Sequence, residues 1–201
     1  MMGILTGLVL LAQLSPAPAD PVIVAVGDSI TQGAGSKDPG VQSWPALIGA
    51  HRAGEGGGCV ISDPCFSGQA PMVQTFDASV LAQHPDIVVI AYGINDIYSG
   101  PEAIFEGLKE LAHRTRAAGA RPYVATVTPQ RGKQHEAYHS IRSKLNRMIR
   151  QHFGARVIDF DKALRNPRGK MWPRFDSGDG LHPNADAYEV MAGVAARALA
   201  R

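Results

Sequence analysis

PVIVAVGDSITQGAG, residues 21–35, is the stretch of this sequence that decides the fold class. Its first half is a nearly continuous run of β-branched residues, which is typical of a strand buried on both faces of a parallel sheet. The run ends at Gly27, and Asp28 and Ser29 follow at once. Ligands of open α/β sheets bind at the carboxyl ends of the strands, so Ser29 lies where chemistry is expected. The alternative is that Asp28 and Ser29 only cap the next helix.

The remainder of the chain alternates short apolar runs with longer amphipathic segments. The apolar runs predict further strands at residues 59–62, 86–92, 122–127 and 156–160. The amphipathic segments predict helices at residues 44–51, 73–83, 102–118, 135–153 and from about residue 183. This alternation predicts an α/β fold in which helices cover both faces of a five-stranded parallel sheet. A chain of 201 residues has room for one such domain with a sizeable core.

The N-terminal segment resembles a secretory signal peptide. Residues 3–14 are apolar except for Thr6 and Gln13, and this run is too short for a helix that spans a bilayer. The small residues of Ala17-Pro18-Ala19 stand where a signal peptidase cleaves, although no Lys or Arg precedes the apolar run. We therefore expect residues 1–19 to be removed and residues 20–201 to form a single domain. We also expect the protein to be secreted or periplasmic, without a stable membrane span.

The formal net charge of +2 conceals an uneven distribution. Sixteen of the 20 Lys and Arg residues lie between Lys109 and Arg174, with only four acidic residues among them. The segment has no dense basic run, no interleaved aromatic residues and no nucleic-acid-binding motif. We therefore interpret it as a solvated basic surface and expect no nucleic-acid partner.

Residues suited to acyl transfer follow the ends of the predicted strands. Such a reaction needs a hydroxyl nucleophile, a base beside it, an acid that orients the base, and hydrogen-bond donors for the oxyanion. Ser29 is the predicted nucleophile, His182 the base that takes its proton, and Asp179 the acid that orients the imidazole. The predicted oxyanion hole consists of the backbone N–H groups of Ser29 and Gly68 and the side-chain amide of Asn95.

The sequence resembles the SGNH (GDSL-type) esterase/lipase family in four ordered blocks, namely GDSIT at 27–31, Gly68, GIND at 93–96 and DGLHP at 179–183. The resemblance extends over the chain after residue 19. It implies a flavodoxin-like three-layer α/β/α fold and ester hydrolysis without a metal or a cofactor. The family's Ser, Gly, Asn, His and orienting Asp correspond to Ser29, Gly68, Asn95, His182 and Asp179.

The resemblance also suggests a substrate class. The segment VIDFDKALRNPRGKMWPRFDSGDGLHPNADAY, residues 157–188, is similar to bacterial members related to acetylxylan esterases. The loop after the first strand is brief, and no long apolar insertion offers a lid or an acyl tunnel. We therefore expect a small-molecule or carbohydrate ester with a short acyl chain, acetyl above all. The second block departs from the usual pattern, with Asp63 where an Asn is common and Gln69 where an Asp is.

Two alternatives to a serine esterase remain open from the sequence. His135-Glu136-x-x-His139 has the spacing with which a helix holds zinc between two histidines while the Glu acts as a general base. A third ligand is hard to find. The extended form of this motif needs a glycine where Arg142 stands, and only Asp159 or Asp161 lies at another plausible distance in the sequence. The other alternative is a non-catalytic carbohydrate-binding relative, although binding alone does not require the Ser, the Asn and the Asp-His pair together.

Cys59 and Cys65 are the only cysteines of the chain. They bracket the segment that leads to Gly68, and the five residues between them allow either a disulfide bond or two buried thiols. Export to an oxidising compartment would favour the bond.

Overall fold

The computed structural model describes residues 20–201, apart from the side chains of Gln134, His135 and Ala137. The predicted signal peptide, residues 1–19, therefore lies outside the described residues. The centre of the described chain is a sheet of five strands, β1 (Ile23–Gly27), β2 (His51–Gly54), β3 (Ile87–Ala91), β4 (Arg121–Ala125) and β5 (Val157–Ile158). All neighbouring strands are parallel, and their order is β2-β1-β3-β4-β5.

Within residues 20–201 the strands alternate with eight α-helices. These are α1 (Ser29–Gln32), α2 (Pro39–Gln42), α3 (Trp44–Leu47), α4 (Met72–Ser79), α5 (Pro101–Ala117), α6 (Gly132–Phe153), α7 (Phe160–Leu164) and α8 (Ala185–Leu199). Single turns of 3₁₀-helix lie at Leu81–Gln83, Ile97–Ser99, Gly154–Arg156 and Pro173–Phe175. None of the helices in this part of the chain is long and apolar enough to cross a membrane.

Alternate residues of the first strand face two separate hydrophobic cores. Val24 and Val26 pack with α4, α5 and α6 on one face of the sheet. Ala25, between them, packs with α3, α7 and α8 on the other face. All three side chains are fully buried. The β-branched run is therefore a strand covered on both faces, and the predicted α/β fold with a five-stranded parallel sheet is confirmed.

The strand order places one end of β1 at a change of direction in the sheet. The chain passes from β1 outward to β2 and then crosses to β3 on the other side, as in flavodoxin-like sheets. Gly27 at the end of β1 pairs with Ala91 at the end of β3, so the loops after these strands begin side by side. Ser29 and Asn95 belong to these two loops, which puts them where open α/β sheets bind ligands.

The second strand was expected at residues 59–62, and that prediction is wrong. It is formed by β2, and the helix expected as far as residue 51 ends at Leu47. Because β2 lies at the edge of the sheet, its His51 and Arg52 side chains are exposed, and it lacks the apolar run that identifies a buried strand.

Residues 59–62 are apolar for a different reason. Val60 is fully buried, but its N–H and those of Ile61 and Ser62 donate to the Asp96 carboxylate rather than to a neighbouring strand. The segment is therefore a partly buried loop whose backbone N–H groups donate to a side chain.

The fifth strand is shorter than the predicted 156–160. It ends after two residues because Asp159 caps α7, accepting a hydrogen bond from the N–H of Lys162. Phe160 therefore begins a helix, and its apolar side chain contributes to the core from that helix.

Candidate active site

Ser29 is the first residue of α1, directly after the tight turn that ends β1. Asp28 caps the helix by accepting the N–H of Ile30 at 2.9 Å. The turn requires glycine at position 27, since a Cβ there would lie 2.2 Å from Oγ1 of Thr31 and 2.6 Å from the carbonyl oxygen of Ala91. The predicted helix cap is therefore present, and it coexists with a serine displayed at the strand end.

The structure brings Ser29, His182 and Asp179 into one hydrogen-bonded chain. Oγ of Ser29 lies 2.9 Å from Nε2 of His182, although the two residues are 153 positions apart. Nδ1 of His182 lies 2.6 Å from Oδ2 of Asp179. The structure therefore brings together the three side chains that the sequence predicts as nucleophile, base and orienting acid.

Asp179 is held as a charged carboxylate. Partial burial alone would raise its pKa, but hydrogen bonds from the ring and backbone N–H of His182 and from the N–H of Leu181 outweigh it and lower the pKa to about 2. An ionised carboxylate can only accept hydrogen bonds, so Nδ1 of the imidazole is the donor of the bond between them. In the neutral imidazole, a proton on Nδ1 leaves Nε2 with a lone pair, and Nε2 is the nitrogen that lies next to the Ser29 hydroxyl.

Arg131 and Asp176 brace the loop that carries this Asp-His pair. The N–H of Arg131 donates to the carbonyl of Gly180 at 2.7 Å, and its guanidinium donates to the carbonyl of Met171 at 3.2 Å. Nε of Arg131 also lies 3.4 Å from Oδ2 of Asp176. The other oxygen of Asp176 accepts the N–H groups of Gly178 and Gly180. Sequence reasoning missed both residues, because no motif links position 131 to the loop.

Asn95, a predicted oxyanion donor, is tied to the loop before Cys59. Its Nδ2 donates one hydrogen to the carbonyl of Gly58 at 2.7 Å. An amide nitrogen carries two hydrogens, so the second is available for another acceptor. The bond to Gly58 fixes the plane of the amide, and with it the direction of that second hydrogen.

Gly68, another predicted oxyanion donor, sits in a left-handed conformation with φ of 77°. Its N–H donates to the carbonyl of Cys65 at 2.9 Å, closing a turn. The assignment of this N–H to the oxyanion hole stays a prediction, and it requires the turn to open or the N–H to be shared between two acceptors.

Asp96 organises the loop that leads to Gly68. Its carboxylate is buried and accepts three backbone N–H groups and the hydroxyl of Ser62. The sequence signal for this role is its place directly after Asn95 in the GIND block, which links the loop after β3 to the loop after β2.

Cys59 and Cys65 form a disulfide bond, with their Cα atoms 5.4 Å apart. The bond closes the seven-residue segment that ends three positions before Gly68. The pairing that the sequence left open is therefore present.

A small cavity, partly open to solvent, is lined by the two chain neighbours of Ser29, Asp28 and Ile30. It has a volume of ≈ 20 Å³, and Asp28, Thr31, Trp44 and Thr128 are among the buried residues that line it. Burial, reinforced by the nearby charge of Asp96, outweighs the hydrogen bond from Ile30 and raises the pKa of Asp28 from 3.8 to about 7. Asp28 is thus an acid whose ionisation is costly in the fold.

The motif His135-Glu136-x-x-His139 is the one that the sequence left open as a zinc site, and its His139 contacts an arginine in the fold. Nδ1 of His139 lies 3.0 Å from the Arg142 guanidinium, which donates to it. Burial and the positive charge of Arg142 lower the pKa of His139. The His135 side chain lies outside the described part, and the described residues contain no group of three or more His, Cys, Asp or Glu that could hold a metal ion.

Residues 25–190 match the model of the GDSL-like lipase/acylhydrolase family. A comparison with curated protein sequences finds no match. Among solved structures, a putative lipolytic protein of the G-D-S-L family from Desulfitobacterium hafniense is similar with a TM-score of 0.74 and 22% identity. The similarity covers 89% of this chain and 99% of that one.

Two further solved structures have the same fold. A putative acylhydrolase from Bacteroides fragilis has a TM-score of 0.73 and 20% identity over 93% of this chain and 90% of its own. A catalytic mutant of an acetylxylan esterase from Geobacillus stearothermophilus has a TM-score of 0.70 and 18% identity over 90% of this chain and 94% of its own.

Proposed function

The chain belongs to the GDSL-like lipase/acylhydrolase family, which makes it a carboxylic ester hydrolase, and from this premise we propose that Ser29, His182 and Asp179 are its catalytic triad. The observation that carries the proposal is the hydrogen-bonded chain from Oγ of Ser29 through the imidazole to the Asp179 carboxylate. A serine, a histidine and an acid in this order are the components of acyl transfer through a covalent intermediate.

In the proposed reaction, Oγ of Ser29 attacks the ester carbonyl carbon while Nε2 of His182 takes its proton. The tetrahedral intermediate collapses, the bond to the alcohol oxygen breaks, and the imidazolium returns the proton to the departing alcohol. Water then attacks the acyl-enzyme with His182 again as base, and the acid is released as Ser29 regains its proton. Asp179 keeps its charge throughout and stabilises the imidazolium.

The oxyanion would be stabilised by donors that converge from three loops. The proposed donors are the N–H groups of Ser29 and Gly68 and the free hydrogen of the Asn95 amide. Such donors act most strongly when they are already oriented before the reaction. The hydrogen bond from Asn95 to the carbonyl of Gly58 holds the amide in one orientation.

We propose a short acyl group, acetyl above all, carried by a small-molecule or carbohydrate alcohol. The helices beside Ser29, α1 to α3, have four residues each, and none is long enough to form a lid over an acyl chain. The similarity in fold to an acetylxylan esterase is consistent with this class. The signal-like residues 1–19 and the disulfide bond support a protein that is secreted or periplasmic.

The test is hydrolysis of methyl acetate by the wild type, Ser29→Ala and Ser79→Ala. Loss of the nucleophile should lower kcat by about 10⁴-fold or more. Ser79→Ala is the matched control, because this exposed serine lies on α4 and donates only to the carbonyl of Thr75. Turnover that survives in Ser29→Ala would contradict the triad. No turnover in the wild type would instead favour the non-catalytic relative.

A further inference from the structure

An open groove lies directly beside the candidate active site. Its volume is about 320 Å³, it reaches the Asn95 side chain, and its walls are formed by Phe66, Ile94, Ile97, Tyr98, Tyr138 and Leu181. We call it the aromatic groove. Leu181 precedes His182 in the chain, and Phe66 lies two residues before Gly68, so the groove borders both the base and the predicted oxyanion donors.

The aromatic rings of this groove are unusually exposed. Phe66 is 73% exposed and Tyr98 is 76% exposed, which makes them the two most exposed large hydrophobic residues in the described part of the chain. Phe66 projects from the loop that the disulfide bond and Asp96 hold in place. Exposed apolar surface that is held rigid beside a reactive group indicates a binding surface.

The chemistry of the walls limits what can bind. Among the residues that the structure describes, those that line the groove carry no charge. The hydroxyl groups of Tyr98 and Tyr138 bond to each other, and their rings meet edge to face with centroids 5.6 Å apart. A ligand therefore meets flat apolar rings together with hydroxyl groups that both donate and accept hydrogen bonds.

The openness of the groove argues against an alkyl chain. A long acyl chain gains most from an enclosed apolar pocket, because any part that stays in water contributes nothing. A ligand in this groove keeps one side in solvent, so it should have an apolar face and a polar edge. A neutral sugar ring has this character, since its C–H bonds lie on one face and its hydroxyl groups point outward.

We propose that the aromatic groove binds a neutral sugar ring whose acetyl ester enters the site at Ser29. This rests on the proposed function and deepens it, because it assigns the alcohol part of the ester to a defined surface. Phe66 and Tyr98 then determine specificity for acetylated carbohydrate over simple acetate esters.

The first experiment compares kcat/KM for an acetylated xylo-oligosaccharide with kcat/KM for methyl acetate, which is too small to fill the groove. We expect kcat/KM for the sugar ester, divided by kcat/KM for methyl acetate, to fall about three- to tenfold in Phe66→Ala and in Tyr98→Ala. The fall should come from a higher KM for the sugar ester. Val41→Ala is the matched control, because Val41 is 64% exposed on α2 and does not line the groove, and it should leave the ratio unchanged. Melting curves of the variants show whether each one folds.

Two results would overturn the proposal. One is a ratio that stays the same in both aromatic variants. The other is a selective loss on ethyl octanoate with the sugar ester unaffected, since that would assign the groove to the acyl chain.

The second experiment does not depend on turnover. Calorimetric titration of Ser29→Ala with unacetylated xylo-oligosaccharide should show binding, and the double variant Ser29→Ala/Phe66→Ala should bind about three- to tenfold more weakly. If Ser29→Ala retains turnover, the proposed triad is wrong. If Ser29→Ala does not bind the sugar, or if adding Phe66→Ala leaves its binding unaltered, the proposed role of the groove is wrong.

Discussion

The Asp179 carboxylate divides two tasks between its two oxygens. Oδ2 accepts from the imidazole of His182, and Oδ1 accepts the backbone N–H groups of Leu181 and His182 at 2.8 Å each. The acid therefore orients the base and also shapes the turn on which the base sits. Because the three residues are neighbours in the chain, these hydrogen bonds all form within one turn.

At Asn95, one amide hydrogen is bonded to Gly58 and the other is the predicted oxyanion donor. Asn95→Ala should lower kcat by about 10²–10³-fold, since the charge that the amide stabilises exists only in the transition state. KM for methyl acetate should change little. Steady-state kinetics measure both constants.

Asn95→Asp provides the control for the shape of this side chain. It has the same size but no hydrogen to donate, so it should lose at least as much kcat as the alanine variant. A rise in KM with kcat unchanged in either variant would assign Asn95 to substrate binding instead.

Among the elements, the loop from Asp176 to His182 depends on the start of α6. Arg131 reaches this loop through its backbone, and its guanidinium contacts Met171 and Asp176. Arg131→Met keeps an unbranched apolar side chain but removes the guanidinium. We expect kcat to fall about ten- to a hundredfold with KM little changed, because displacement of the base by a fraction of an ångström misaligns proton transfer. Kinetics on methyl acetate provide the measurement.

Arg147→Met is the matched control for this element. Arg147 lies on the same helix and is exposed, so the same substitution there should leave kcat as in the wild type. Arg131→Lys should recover part of the activity, since an ammonium can still meet Asp176. Equal kcat in Arg131→Met and the wild type would show that the loop keeps its shape without the guanidinium.

The loop closed by Cys59 and Cys65 is the second element that shapes the site. In the chain-entropy account, closing a seven-residue loop stabilises the fold by about 2 kcal/mol. For a domain of this size, replacing both cysteines by serine should lower the Tm by about 4–8 °C. We also expect a lower kcat, because the closed loop leads into the turn in which the N–H of Gly68 donates to the carbonyl of Cys65. Calorimetry of the variant and of the wild type with a reductant should give the same shift.

Counting thiols provides the direct check on this bond. The denatured, unreduced wild type should have no free thiol. Two free thiols would contradict the bond and remove the reason for both expected shifts.

At the scale of the whole molecule, the buried Asp28 carboxyl links global stability to pH. In the fold its pKa is about 7, against 3.8 for an ordinary aspartate, so between these values only the folded state keeps the proton. Stability that is fully present below pH 4 is therefore lost as the pH rises towards 7, by about 4 kcal/mol in all. Asp28→Asn cannot ionise and still offers an oxygen to the N–H of Ile30.

Asp28→Asn should consequently be more stable than the wild type at pH 8, with the difference shrinking towards pH 4. Urea unfolding at several pH values measures this difference. Asp38→Asn is the control, because Asp38 caps α2 in the same way but is exposed to solvent. Parallel pH profiles for the wild type and Asp28→Asn would contradict the prediction.

The sequence by itself determined the fold class and was enough to predict which residues form the candidate site. The alternation of β-branched runs with amphipathic segments is a local property of the sequence. A strand that is buried on both faces, such as β1, is apolar along nearly its whole length. The short blocks around Ser29, Asn95 and His182 are also local, since each combines a turn with the side chain that the turn displays. These features could be predicted without knowing which residues contact each other in the fold.

Only the tertiary structure decided the features that depend on contacts between distant segments of the chain. β2 could not be predicted because an edge strand is half exposed and its pairing comes from β1, not from its own composition. Arg131 braces a loop 45 or more residues further along the chain, and Asp96 bonds to a segment more than 30 residues earlier. The aromatic groove likewise exists only where three separate loops and α6 converge. Contacts of this kind leave no period or motif in the sequence, because each partner is compatible with many other neighbours until the chain folds.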